Sequence, residues 1–106
     1  HFHIKISMKF KDINKNEYTI QFKRPDARKH GWCSGFYYFP ENGKGKIQID
    51  PDMSHQLILN TLIHEVAHAY FDDATETDTT KFANCLSRLL YTNLQFRSGN
   101  LNQIIA

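Results

Sequence analysis

Thr61-Leu62-Ile63-His64-Glu65-Val66-Ala67-His68-Ala69-Tyr70-Phe71 is the stretch on which the reading of this chain turns. Across it and just before it, Leu57, Ile58, Leu59, Leu62, Ile63, Val66, Ala67 and Tyr70 recur at three- and four-residue intervals, the pattern of a helix buried over a wide arc. Asp52 or Ser54 can cap its start, and the spacing predicts a helix over 54–71. On such a helix His64 and His68 lie about 40° apart around the axis and one turn apart along it, so both imidazoles can reach one ion. Glu65 is turned by about 100° from His64. It can therefore address the open coordination position and act as general base on a zinc-bound water, whose pKa the metal lowers toward ~7. A solvated His-Glu-x-x-His on a surface helix is the plainer alternative. Here the flanking residues are apolar, so an ionised carboxylate and two imidazoles would be partly buried, and costly without an ion to compensate them.

Downstream, Asp72-Asp73-Ala74 breaks the pattern, and Thr75-Glu76-Thr77-Asp78 has the form of a capping box opening a second helix. Phe82, Cys85, Leu86, Leu89, Leu90 and Leu94 are expected to form its apolar face. A catalytic zinc site needs a third protein ligand. No histidine follows His68, and the carboxylates after it are Asp72, Asp73, Glu76 and Asp78. Asp72 stands eight residues beyond His64, about 12 Å along a continuous helix, too far to join both histidines on one ion. Glu76 comes after a break that lets it fold back, although its charge also suits a helix N-terminus in its own right. Asp78 has a structural role as the last member of the capping box. Asp73 is a weaker candidate for the third ligand, and suits equally a position accepting from a ligand imidazole N–H.

Upstream the period changes from helical to alternating. Ile4, Ile6, Met8 and Phe10 fall on one face of a first strand, with a second plausible chain start at Met8, and Tyr18, Ile20 and Phe22 fall on one face of a second. Residues 24–31 read as a loop. The aromatic stretch 32–39, the turn residues Pro40-Glu41-Asn42-Gly43 and Lys46-Ile47-Gln48-Ile49-Asp50 read as a β-hairpin, whose second strand would offer substrate a free edge. The tail 97–106 carries little signal. With 106 residues and 12.4 kDa, one α+β domain over 1–106 is expected: a small, mainly antiparallel sheet of three to four strands packed on two helices.

No stretch approaches the roughly 18 apolar residues of a membrane span, and the start lacks the apolar core of an export signal, so a cytoplasmic location is expected. Cys33 and Cys85 are too few for a disulfide framework and read as reduced, buried thiols. Residues 1–46 hold ten Lys/Arg against four Asp/Glu and residues 47–106 hold three against seven, a split of +6 and −4. The basic half suits either a solvated strand face or contact with nucleic acid or another acidic partner. His55 is expected at the surface and His30 in a loop.

The segment 31–91 resembles the HExxH zincin metallopeptidases, most of all the small prokaryotic and phage-encoded zincin-like proteins with a minimal SprT-like or gluzincin-like core. The resemblance rests on the Gly/Cys-containing strand, on Ile47-Gln48-Ile49-Asp50, on Thr61 to Ala69, on Asp73 and Glu76, and on Leu86-Ser87-Arg88-Leu89-Leu90-Tyr91. It implies a zincin-like fold and a zinc-dependent peptide hydrolase acting on a peptide or protein substrate. His64, His68 and Glu76 would be the Zn²⁺ ligands, Glu65 the catalytic base, and one of Tyr37, Tyr38 and Tyr70 an oxyanion donor. The ImmA/IrrE peptidases place a carboxylate shortly before a Phe-Ala pair like Phe82-Ala83, and similarity to them implies Asp78 as the ligand instead. The competing expectation is a catalytically weak zincin-like module that binds nucleic acid or a host protein through the basic half.

Overall fold

The computed structural model describes residues 8–99 and residue 101. The alternating segment around Ile4 and Ile6 lies outside the described residues, as does the end of the tail. Four strands, β1 (Met8–Lys11), β2 (Glu17–Gln21), β3 (Gly35–Glu41) and β4 (Lys44–Ile49), form one sheet in the order β1-β2-β4-β3. Across one face run α2 (His55–Tyr70) and, beyond it, α3 (Glu76–Ser87), which continues into a π-helical turn, Arg88–Asn93. The architecture is α+β.

Local sequence accounts for the boundaries. β3 and β4 are joined by Asn42-Gly43, both in the left-handed region (φ 53 and 74), which gives a two-residue turn the twist that antiparallel strands need. The Ser54 hydroxyl caps α2 by accepting from the Leu57 N–H. Segment 24–31, expected to be loop throughout, contains a single helical turn, α1 (Ala27–His30); the Asp26 side chain caps it and Gly31 ends it with φ 71.

The sheet is mixed rather than mainly antiparallel. β1–β2 and β3–β4 pair antiparallel, but the central pair β2–β4 is parallel, with Ile20 opposite Ile47. A parallel neighbour requires a crossover, and α1 together with β3 supplies it. This order corrects the expectation about the free edge. Of the expected strand 46–50, residues 46–49 belong to β4, which is enclosed by β2 and β3, so the edge strand nearest the histidines is β3.

Tyr18, Ile47, Ile49, Ile58 and Ala69 form the core, with Phe10, Ile20, Phe22, Tyr37, Met53, Leu62 and Val66 packed around them. Each large aliphatic side chain so buried contributes about 1.5–3 kcal/mol. The Tyr18 ring stacks on Phe10 at 5.0 Å between centroids. On the far face of the sheet Lys9 pairs with Glu17 at 3.8 Å, and Lys46 lies over the Tyr38 ring.

α3 packs with a face other than the one its apolar periodicity marks. Phe82, Cys85, Leu89 and Leu94 are exposed, and Thr79, Ala83 and Ser87 are buried instead. These small residues recur every four positions toward α2, where Asn60 Nδ2 donates to Asn84 Oδ1 at 2.9 Å and to Ser87 Oγ at 3.0 Å. Small side chains at a helix–helix contact allow close approach, and that approach brings the start of α3 to the histidines. Cys33 is half-buried, so of the two thiols expected in the interior Cys85 is not there.

Candidate metal centre

α2 carries Glu65 on its buried face and His64 and His68 on the flank toward α3. The helix ends where the Phe71 N–H bonds to the Ala67 carbonyl; a turn closed by Ala74 N–H to Phe71 O reverses the chain, and Thr75 opens α3. The Thr75 hydroxyl accepts from the Asp78 N–H at 3.1 Å, which realises the N-cap half of the expected capping box. α3 then runs antiparallel to α2, with Glu76 beside His64 and His68 and Asn84 beside Asn60.

Three donor groups converge as a result. His64 Nε2 and His68 Nε2 are 3.0 Å apart, Glu76 Oε1 is 2.9 Å from the first and Glu76 Oε2 is 2.8 Å from the second. Among the described residues these are the three that form a group able to hold a metal ion, with donor atoms within 4.8 Å of one another. The other carboxylates considered from sequence stand apart: Asp78 and Asp73 are exposed and neither belongs to the group. The imidazole side chains are 17% and 21% exposed and the Glu76 side chain 72%, so the cluster is rooted in protein and open toward Glu76.

The donor set fits zinc. Each imidazole can donate a proton to a different Glu76 oxygen, but the 3.0 Å contact between the two Nε2 atoms is then left without a shared proton, whereas a divalent ion is shared by all three groups. Ligands at about 2.0–2.2 Å from a tetrahedral zinc lie about 3.3 Å apart, a few tenths of an ångström wider than the present spacing. Two imidazoles and a carboxylate also suit zinc chemically.

Glu65 is 9% exposed, and no hydrogen bond or ion pair joins its carboxyl to another described residue. Burial raises its pKa to about 7, with a smaller contribution from the Glu76 charge. It lies against the start of β3. A Cβ built on Gly35 would stand 3.1 Å from Glu65 Cγ, 3.3 Å from Glu65 Oε2 and 2.5 Å from Thr61 Cγ2, so only a glycine lets β3 lie this close to α2. Burial likewise raises the Cys33 thiol, and the Glu65 charge adds to it.

Sequence reasoning did not single out Gly35; an isolated glycine opening a strand was its one available signal. Of the three tyrosines named above, Tyr37 stacks on His68 at 6.4 Å between ring centroids. Tyr38 points to the other face, where its hydroxyl donates to Gln48 Oε1, and the Tyr70 ring packs on Phe71. His55 is exposed, as expected, while the His30 side chain lies outside the described residues. Compared with known proteins, the chain matches no family model, no curated protein and no solved structure.

Proposed function

We propose that this protein is a zinc-dependent peptide hydrolase, with His64, His68 and Glu76 as the metal ligands and Glu65 as the general base. The observation that carries the reading is the convergence of two imidazoles and a carboxylate beside a buried carboxyl that has no hydrogen-bond or ion-pair partner among the described residues. Bound there, zinc supplies Lewis acidity, which polarises a scissile carbonyl and acidifies water. Glu65 takes the proton of the attacking water on its carboxylate and delivers it to the departing amide nitrogen. Burial holds the Glu65 carboxyl at about 7, and a divalent cation beside it favours the ionised form that the base needs.

Substrate has a natural seat on β3. Among the described residues nothing pairs with the outer edge of this strand, whose first residue lies against Glu65. An extended peptide can add there as a fifth strand, held by main-chain hydrogen bonds. Of the three tyrosines, Tyr37, on β3, is the one whose ring lies against a ligand histidine.

The test is Glu65→Gln, which keeps shape and removes the base. Cleavage of an unfolded protein substrate should fall by at least a hundredfold while zinc content stays unchanged. Undiminished cleavage would overturn the mechanism.

A further inference from the structure

Beside the histidines lies a second concavity, of about 160 Å³, between the C-terminal end of α2, the end of β3 and the β1–β2 turn. Phe39 and Tyr70, both exposed, supply its apolar walls, and Tyr18 and Tyr37 supply its floor. Its charged groups are Asp12 and Asp72, and among the described residues no lysine or arginine lines it. Asp12 accepts from the Asn14 and Asn16 N–H groups and from Asn16 Nδ2, which hold its carboxyl ionised; Asp72 makes no hydrogen bond with a described residue. Tyr18 is 99% buried by residue, yet its hydroxyl has no hydrogen-bond partner among the described residues. Among the described residues no fully enclosed side-chain oxygen is left unpaired, so this hydroxyl is the part of Tyr18 that reaches the cavity. That hydroxyl is thus open to a polar group that enters the cavity.

The concavity adjoins the metal ligands. The Tyr37 ring lies 6.2 Å from that of Tyr18 and 6.4 Å from that of His68, so a single aromatic ring separates the two. A chain lying along β3 past His68 therefore has one side chain within reach of the cavity. We infer that the cavity receives a lysine or arginine side chain of the substrate, so that the site cuts next to basic residues. The aliphatic stem would lie on Phe39 and Tyr70 and the cationic head between Asp12, Asp72 and the Tyr18 hydroxyl. Cleavage beside a basic residue rests on the hydrolase reading; recognition of the side chain does not, and binding alone tests it.

The experiment uses Glu65→Gln protein and two short, labelled, alanine-rich peptides that differ in one side chain, arginine in one and the neutral isostere citrulline in the other. The arginine peptide should bind about tenfold more tightly. Asp72→Asn, a change at an exposed position, should reduce that preference to about twofold or less. Equal affinity for the two peptides, or a preference that survives Asp72→Asn, overturns the inference. If protein with Glu65 intact cleaves neither peptide while the arginine preference in binding persists, the hydrolase reading fails and the cation pocket stands.

Discussion

Replacing Gly35 with alanine should loosen the joint between β3 and α2, and a partner substitution should restore it. The added Cβ would stand 2.5 Å from Thr61 Cγ2, well inside the contact distance of about 3.5–4.0 Å between carbons. Thr61 is 4% exposed, so its methyl group cannot swing out into solvent. Overpacking of this kind costs about 1–3 kcal/mol, a drop in Tm of roughly 4–8 °C per kcal/mol for a chain of this size. Thr61→Ser deletes the obstructing methyl and keeps the hydroxyl, which donates to Ser34 Oγ at 3.4 Å. The double variant should therefore recover about 1–2 kcal/mol relative to the sum of the single changes. Urea unfolding of the four proteins measures the coupling. Hydrolysis measured alongside should fall in Gly35→Ala, because the same Cβ presses on Glu65 at 3.1 Å. Strictly additive effects, or a Gly35→Ala protein as stable and active as the original, would refute the claim that this close contact positions the base.

Metal-free protein should lose stability as pH rises, by a contribution that Glu65→Gln removes. The folded-state pKa of Glu65 stands at about 7 against 4.5 for the free group, so the folded protein holds this proton more tightly. The stabilisation is complete below about pH 4.5 and disappears as pH rises through 7, for a change of about 3 kcal/mol at most. Chemical unfolding between pH 4.5 and 8 checks it, and equal slopes in the two proteins would count against it. Asn60→Ala, which removes the donor to Asn84 and Ser87, should cost about 1–2 kcal/mol and weaken zinc binding without touching a ligand; unchanged zinc affinity would show that the α2–α3 latch does not position Glu76. Thr75→Ala should remove the α3 cap, cost about 1 kcal/mol and fray the turn that begins with Glu76. Unfolding and zinc titration report both effects.

The features legible in the sequence are those set within a few residues. The α2 range follows from apolar spacing and the Ser54 cap, the β3–β4 hairpin from Asn42-Gly43, and the α3 start from Thr75. The break at 72–74 only permits Glu76 to fold back toward the histidines, and it is the resemblance to small zincin-like proteins that favours it over Asp78 and Asp73. The parallel pairing of β2 with β4 left no local mark, because Ile20 and Ile47 have the same alternating neighbours in either orientation. The wrong substrate edge followed from that, since order within a sheet is decided by contacts distant in sequence. α3 misled for another reason. The apolar stripe through Phe82, Cys85 and Leu89 is real, but helix packing here selects small residues, Thr79, Ala83 and Ser87, whose low hydrophobicity hides them from a periodicity argument. Gly35 and the pocket at Tyr18 emerge only when β3, α2 and the β1–β2 turn are brought together.

The most direct test is the zinc content of protein dialysed against a small molar excess of the metal, measured by elemental analysis. One zinc per chain is expected in the unmodified protein, in Asp73→Ala and in Asp78→Ala, and almost none in His64→Ala, His68→Ala and Glu76→Ala. Zinc retained in full by Glu76→Ala, or absent from the unmodified protein, would contradict the metal centre on which the proposed chemistry depends.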